Sequence, residues 1–212
     1  LSPNLVGKAL GLEVKEGMPI PSLVAPRPPK LCDGCPHIDS YTALNEAMKS
    51  FPGGRVFSDI GCYTLGALPP FQAIYSTVDM GASITMAKGA SEADLLPSVA
   101  VIGDSTFTHS GMTGLLDCCV DNANVTVIIL DNGITGMTGS QKSSATGRIE
   151  SICTGLGVDP AHIRVINPLK KYFEENVAIM KEEIAYKGVS VIIPRRECIV
   201  ALNKRLKAAK KA

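Results

Sequence analysis

The chain of 212 residues is long enough for one α/β domain, or for two small domains at most. Its composition of 45% hydrophobic and 19% charged residues, with a mean hydropathy of +0.18, indicates a well-buried core and excludes an intrinsically disordered protein. The net charge of +1 excludes the large basic surface of a typical nucleic-acid-binding protein, and no apolar run is long enough for a membrane span.

The first thirty or so residues are predicted to lie outside the main domain. Residues 2–11 have the pattern of a short helix, capped by Ser2 and ended by Gly11. The prolines that follow are too dense for a helix or a central strand. They are Pro19, Pro21, Pro26, Pro28 and Pro29. We therefore predict an N-terminal helix and linker over residues 1–29 and a single domain over residues 30–212.

From residue 30 onward, helical and extended patterns alternate along the chain. Helices are predicted at residues 38–49, 81–93, 111–121, 149–156 and 169–186. Extended segments are predicted at residues 55–58, 73–78, 99–102, 125–130, 163–166 and 189–193. Strands that are regularly separated by helices predict an α/β fold with a doubly wound, mostly parallel sheet flanked by helices.

Two of the predicted strands end in residues that suit a metal–phosphate site. Gly103 and Asp104 follow one strand, and Asn132 follows the next, at the start of a polar, glycine-rich loop predicted at residues 131–148. Neighbouring parallel strands deliver such residues to one edge of a sheet, where doubly wound folds bind ligands. A carboxylate, a carboxamide oxygen and a backbone carbonyl form an oxygen site for Mg²⁺, and we expect Asp104 in an exposed strand-end loop. A helix-capping Asp and a chance Asn in a turn would give the same pattern without a ligand.

Seven cysteines are the second distinctive feature, and their odd number does not suit a disulfide framework. No signal-peptide pattern is present, so we expect a cytoplasmic protein, in which a C-x-x-C pair indicates a metal or redox site before a disulfide. Cys32 and Cys35 form such a pair, and Cys62 and Cys198 could join them at one edge of the sheet. Four thiolates suit either Zn²⁺ or a 4Fe–4S cluster. The others are expected to be buried small apolar residues: Cys118, Cys119 and Cys153.

Several short motifs, taken in chain order, resemble those of a known enzyme family. The motifs are Cys32-Asp33-Gly34-Cys35-Pro36-His37, Asp59-Ile60-Gly61-Cys62-Tyr63-Thr64, Met80-Gly81-Ala82-Ser83, Gly103-Asp104-Ser105-Thr106 and Leu130-Asp131-Asn132. Over about residues 27–198 the chain resembles the diphosphate-binding domain of the large subunit of indolepyruvate:ferredoxin oxidoreductase, in the 2-oxoacid:ferredoxin oxidoreductase superfamily. Asp104 and Asn132 are similar to the thiamine diphosphate motif of that superfamily, with Ser105 in place of a glycine. The loop at residues 138–143 lacks the histidines that the resemblance leads us to expect.

The resemblance implies thiamine diphosphate, Mg²⁺ and a 4Fe–4S cluster as cofactors. Asp104 and Asn132 would ligate Mg²⁺ through their side chains and Ile134 through its carbonyl oxygen. The residues implied to contact thiamine diphosphate are Gly61, Met80, Gly81, Ala82, Gly103, Asp104, Ser105, Thr106 and Asn132. A cysteine pair followed by two single cysteines resembles the superfamily's cluster nearest the thiamine, which favours iron–sulfur over zinc. The implied ligands are Cys32, Cys35, Cys62 and Cys198.

Among the three histidines, His109 is the candidate catalytic acid or base because it follows the Asp104 motif, with helix capping as its alternative role. His37 could form a hydrogen bond near the cluster.

The implied reaction is the oxidative decarboxylation of a 2-oxoacid, such as an arylpyruvate of the indolepyruvate type. The product would be an acyl-CoA made with coenzyme A, and the electrons would pass through iron–sulfur to ferredoxin. In the superfamily, a Glu of a separate pyrimidine-binding domain activates the thiamine. Neither that domain nor a ferredoxin-like cysteine module is recognisable in the sequence, so we expect both on another chain or on a missing segment.

Two other interpretations stay open. The first is half of a non-oxidative thiamine-dependent 2-oxoacid decarboxylase, which would need no cluster. The second is a zinc-stabilised, non-catalytic binding domain, which would leave the Asp104–Asn132 pair without a purpose.

Overall fold

The computed structural model of the protein describes residues 2–15, 17–25 and 28–210. Pro26 of the predicted linker lies outside these residues. Residues 1, 16 and 27 of the predicted N-terminal helix and linker, and residues 211 and 212 of the predicted domain, also lie outside them. The described part of the linker contains no helix or strand, and its apolar side chains are exposed, apart from the half-buried Val14. The boundary at residue 30 stays a prediction.

Six parallel strands form the central sheet. They are β1 (Arg55–Ser58), β2 (Ser76–Thr77), β3 (Ser98–Gly103), β4 (Val125–Leu130), β7 (Ile163–Ile166) and β8 (Val189–Pro194), arranged in the order β2-β1-β3-β4-β8-β7. Two further strands, β5 (Ile134–Thr135) and β6 (Gln141–Lys142), pair antiparallel as a small hairpin. This hairpin lies within the predicted loop at residues 131–148, whereas the predicted extended segment at residues 73–78 is reduced to the short edge strand β2.

Eight α-helices precede, connect or follow these strands in the described residues. They are α1 (Pro3–Ala9), α2 (Pro36–Met48), α3 (Ala82–Glu92), α4 (Asp104–Thr106), α5 (Met112–Val120), α6 (Ile149–Gly155), α7 (Phe173–Ala185) and α8 (Ile199–Ala209). A 3₁₀ helix at Cys62–Ala67, like α8, has no counterpart among the predicted elements. None of the described helices combines the length and the apolar character needed to cross a bilayer.

The sheet is covered on both faces, which confirms the predicted doubly wound fold. Side chains of successive strand residues point to opposite faces. In β3, Ala100 and Ile102 pack against α3, α5 and α6, whereas Val99 and Val101 pack against α2 and α7. Every residue of β3, β4 and β8 is buried, as expected for the centre of a parallel sheet between two helix layers.

The helix predicted to begin at residue 111 begins at Asp104 instead. Helix α4 continues through a π-helical turn, Phe107–Gly111, into α5. This segment is rich in Thr, Ser and Gly, which have low helix propensity, so the local pattern indicates a loop. Burial of the Phe107 ring in the core stabilises the turn, and Gly111 leaves room for the side chain of Ile102.

A buried carboxylate joins β7 to α7, far from the strand ends described below. The side chain of Glu183 is 1% exposed and accepts a hydrogen bond from Nη1 of Arg164 at 2.9 Å. Nδ1 of His162 lies 2.9 Å from the same carboxylate, and its ring stacks on Tyr186 at 3.5 Å. His162 is therefore an ordered part of a polar cluster.

We predict that Glu183→Gln lowers the free energy of unfolding by about 2 kcal/mol, because a buried partner of the Arg164 charge is lost. This loss in the free energy of unfolding is smaller than the loss expected on breaking a fully buried ion pair, because the Arg164 side chain is 32% exposed. Glu182 contacts the same guanidinium at 3.2 Å but is 66% exposed, so Glu182→Gln should cost less than about 0.5 kcal/mol. Urea unfolding of both variants checks this, and equal losses would contradict a special role of the buried carboxylate.

Candidate functional site

A cavity of about 280 Å³ opens at the carboxyl ends of β1, β3 and β4. This is the edge at which parallel α/β sheets bind ligands. Most of the residues predicted to contact the cofactor or the metal line it: Gly61, Met80, Gly103, Asp104, Ser105, Thr106, Asn132 and Ile134. Cys62, a predicted cluster ligand, also contributes to the wall.

Strand register brings the Asp and Asn of the predicted metal site together. Gly103 at the end of β3 pairs with Leu130 at the end of β4, so the residues that follow both strands begin at one level. Gly133 has a φ of +77°, which glycine adopts without strain, and its N–H donates to Oδ2 of Asp104 at 2.9 Å. The loop that carries Asn132 is thereby bonded directly to Asp104.

Asp104 is buried, contrary to the exposed loop position expected from the sequence. Its side chain is 3% exposed because α4 begins directly at the end of β3, inside the cavity wall. Burial raises the pKa of Asp104 to about 6, and hydrogen bonds from the backbone N–H groups of Ser105 and Gly133 oppose this rise. A bound cation would stabilise the ionised carboxylate in such a place, so Asp104 fits the role of an Mg²⁺ ligand.

Asn132 is also buried, and its carboxamide has a defined orientation. Oδ1 accepts a hydrogen bond from the backbone N–H of Ile134 at 3.1 Å, while Nδ2 lies 3.4 Å from Nε2 of His37. A carboxamide oxygen has two lone pairs, so one remains for a cation. Burial lowers the pKa of His37 to about 4, and the imidazole is therefore neutral at physiological pH.

Tyr63 forms a wall of the cavity between two glycines. A β-carbon at Gly61 or at Gly103 would overlap the Tyr63 ring, so both positions require glycine for this packing. The Tyr63 hydroxyl donates to the fully buried carboxylate of Asp59, which also accepts from Oγ of Ser83 at 2.6 Å. Burial raises the pKa of Asp59, and these hydrogen bonds oppose the rise. Asp59 and Tyr63 belong to a motif noted in the sequence, but nothing in the local pattern reveals this network.

Hydroxyl groups hold the 131–148 segment against the start of α4. Ser105 Oγ lies 2.8 Å from Thr135 Oγ1, and Thr108 Oγ1 lies 2.8 Å from Ser144 Oγ. The serine that replaces a glycine in the thiamine diphosphate motif is thus engaged in a contact with β5.

Three residues predicted to contact thiamine diphosphate or to act in catalysis are not among the described residues that line the cavity: Gly81, Ala82 and His109. Gly81 has a φ of +92° and precedes α3, and Ala82 is the first residue of that helix. Met80 does reach the cavity, and its carbonyl accepts from Ser110 Oγ at 2.9 Å. His109 is exposed, and Nδ1 lies 3.1 Å from the same hydroxyl, so its catalytic role stays a prediction without a contact to support it.

Three of the four predicted cluster cysteines stand at helix starts. Cys35 is the N-cap of α2, Cys198 is the N-cap of α8, and Cys62 begins the 3₁₀ helix. Neither N-cap side chain makes a capping hydrogen bond, and helix N-termini favour thiolates. Cys62 also adjoins the cavity, since a β-carbon at Gly136 would lie 3.2 Å from its Sγ.

The pKa of Cys35 is affected by the other three predicted cluster ligands. Burial raises the pKa of Cys35 to about 11, against a hydrogen bond from the His37 backbone. Repulsion from three nearby thiolates adds to this rise, those of Cys32, Cys62 and Cys198. The side chains do not surround one point, however, because within the described residues no group of three or more His, Cys, Asp or Glu is arranged to hold a metal ion. Of the other cysteines, Cys118 and Cys153 are buried as predicted, whereas Cys119 is half-buried.

Comparison with protein families identifies one match over most of the sheet. Residues 59–193 match the family described as thiamine pyrophosphate enzyme, C-terminal TPP binding domain. The matched segment includes Asp104 and Asn132 and covers more than half of the chain.

Curated relatives are identical to the chain at about a third of the aligned positions. Indolepyruvate oxidoreductase subunit IorA of Archaeoglobus fulgidus is 35% identical over 92% of this chain and 34% of its own length. The subunit IorA of Pyrococcus abyssi is 34% identical over 97% of this chain and 36% of its own length. The chain thus spans about a third of the length of these relatives.

Solved structures share the fold at low sequence identity. A 2-oxoglutarate:ferredoxin oxidoreductase from Magnetococcus marinus superimposes with a TM-score of 0.67 at 18% identity, covering 82% of this chain and 66% of that one. Benzoylformate decarboxylase from Polynucleobacter necessarius gives 0.53 at 14% identity, covering 74% of this chain and 33% of that one.

Proposed function

We propose, because the chain belongs to the thiamine pyrophosphate enzyme family (C-terminal TPP binding domain), that it is the diphosphate- and Mg²⁺-binding part of a 2-oxoacid:ferredoxin oxidoreductase. The observation that carries this proposal is the cavity in which Asp104 and Asn132 meet, with Cys62 in the same wall. Oxygen ligands for Mg²⁺ and a thiol thus border one space at the ligand-binding edge of the sheet.

In this proposal the residues of the chain bind and orient the cofactor. Asp104 and Asn132 would hold Mg²⁺ through their side-chain oxygens, and Ile134 would hold it through its backbone carbonyl. Ser105 and Thr106 line the diphosphate region, and Tyr63 sets the width of the cavity beside them. The chemistry that thiamine diphosphate supplies when bound is storage of the electron pair released as a 2-oxoacid loses carbon dioxide.

The cavity is at the small end of ligand sites, which are typically about 300–1,000 Å³. A site of this size accommodates part of thiamine diphosphate, and a second surface is needed to cover the rest. We therefore assign the pyrimidine-binding surface and its activating carboxylate to another domain or subunit. The mouth of the cavity has exposed apolar side chains for such a contact, those of Ile60, Met80 and Met137.

The curated relatives described above are indolepyruvate oxidoreductase subunits, and their names favour a substrate with an apolar side chain. Among the described residues that line the cavity, none is Lys or Arg. We propose an arylpyruvate such as indolepyruvate, with coenzyme A accepting the acyl group and ferredoxin accepting the electrons, in the cytoplasm.

The cysteines favour this oxidative reaction over a non-oxidative decarboxylation. Loss of the carboxylate as carbon dioxide and formation of a thioester with coenzyme A release two electrons, and a 4Fe–4S cluster held by the four cysteines would supply an acceptor that takes them one at a time. Cys62 joins the cavity to the group of Cys32, Cys35 and Cys198, so a cluster there would lie beside the cofactor. A decarboxylase or a zinc-stabilised binding domain would not require a cluster in that position.

Two measurements test the proposed function. Calorimetry on the chain with its partner domain present should detect thiamine diphosphate binding that requires Mg²⁺, and an anaerobic visible spectrum after iron and sulfide reconstitution should show broad iron–sulfur absorption. If neither thiamine diphosphate nor an iron–sulfur cluster binds, the proposal is rejected. Mg²⁺-dependent cofactor binding without the absorption would favour the decarboxylase, whereas zinc binding alone would favour the non-catalytic domain.

A further inference from the structure

Asn132 forms hydrogen bonds with three other residues: Ile134, His37 and Cys198. The backbone N–H of Ile134 donates to Oδ1, which fixes the orientation of the carboxamide and directs Nδ2 toward His37. The carbonyl of Asn132 accepts a hydrogen bond from the backbone N–H of Cys198 at 3.1 Å. Both the start of α2 and the start of α8 therefore contact this one residue.

The His37 ring is well placed to control the Asn132 side chain. It is 3% exposed, in the first turn of α2, and it packs edge-on against Tyr63 with ring centres 6.5 Å apart. Because Nδ2 of Asn132 is a donor, Nε2 of His37 must be the acceptor, and the ring proton must be on Nδ1. The contact of 3.4 Å is thus a hydrogen bond from the carboxamide to Nε2 of the imidazole.

We propose that His37 is a positioning residue that holds Nδ2 of Asn132 so that Oδ1 faces the Mg²⁺ site. This inference rests on the proposed function, since it requires that Asn132 be a metal ligand. Such outer contacts orient metal ligands and commonly change metal affinity by about 10-fold to 100-fold. His37 lies two residues after Cys35, so this hydrogen bond also links the cysteine-bearing start of α2 to the cofactor site.

The test is a calorimetric Mg²⁺ titration of full-length protein, with its partner domain present, at saturating thiamine diphosphate. His37→Phe keeps a ring but removes the acceptor, and we expect the half-saturating Mg²⁺ concentration to rise about tenfold, as for the loss of one hydrogen bond. His37→Gln retains an acceptor oxygen and should restore it to within about threefold of the parent. Thr126→Val is the matched control, because it removes a buried hydrogen bond, 3.1 Å to the Glu183 carbonyl, at the opposite end of β4.

The outcomes separate this inference from the proposed function. An unchanged titration in His37→Phe, or equal shifts in the Phe and Gln variants, would overturn the positioning role. If the parent shows no Mg²⁺-dependent cofactor binding, the proposed function fails and this inference fails with it. Should His37→Phe not fold, the ring ¹⁵N chemical shifts of His37 in the parent decide instead: a proton on Nδ1 supports the proposal, and a proton on Nε2 overturns it.

Discussion

Asp104→Ala is expected to weaken Mg²⁺-dependent thiamine diphosphate binding by at least about 100-fold. A direct ligand should matter at least as much as the residues that orient ligands, whose loss costs about 10-fold to 100-fold. Because Asp104 is buried and accepts hydrogen bonds from Ser105 and Gly133, the Ala variant should also lose stability. Asp104→Asn keeps the volume and one acceptor oxygen, so it should retain more stability while still losing the charge that the metal requires.

A nearby acid provides the matched control for this experiment. Asp131 ends the neighbouring strand, is 6% exposed and pairs with Arg195 at 2.6 Å, but it is not among the residues that line the cavity. Asp131→Asn should therefore lower stability and leave the cofactor affinity within about threefold of the parent. Calorimetry with the partner domain present measures both. Unchanged affinity in both Asp104 variants, or an equal loss in Asp131→Asn, would remove Asp104 from the metal site.

The parts of the fold that were predicted correctly carry their signal locally. The strands at residues 55–58, 125–130 and 163–166 have the predicted bounds, because short extended segments between polar turns specify strands. The residues that follow β3 and β4 reach the cavity because the parallel pairing brings the ends of these two strands level.

The features that the sequence did not reveal depend on distant contacts. Asp104 is buried where α4 begins inside the cavity wall, and it is bonded there to Gly133, 29 positions later. The role of Asp59 follows from its bond to Ser83, 24 positions later. Helix α4 begins in a segment of low helix propensity because the Phe107 ring is anchored in the core. The exposure of His109 depends on the helical phase of that same segment, which no local pattern indicated.

Cys198→Ser should remove most of the bound iron while leaving the fold almost unchanged. Cys198 is the N-cap of α8, a position at which serine is among the preferred residues, so the helix should not be weakened. The hydrogen bond from the residue 198 backbone to the Asn132 carbonyl does not depend on the side chain. A hydroxyl is, however, a poor substitute for a thiolate on iron, so the loss should be specific to the metal.

Cys153→Ser should show the opposite pattern, which makes the comparison decisive. Cys153 is fully buried in α6 among apolar side chains, so a hydroxyl there should cost about 1–2 kcal/mol of stability. Its thiol lies in the core on the α3, α5 and α6 face, whereas Cys35 packs in the core on the α2 and α7 face, so iron binding should not change. Iron and sulfide per chain after anaerobic reconstitution, together with urea unfolding, measure both effects. If both variants retain the iron of the parent, Cys198 is not a ligand, and a cluster held by Cys32, Cys35, Cys62 and Cys198 has to be abandoned.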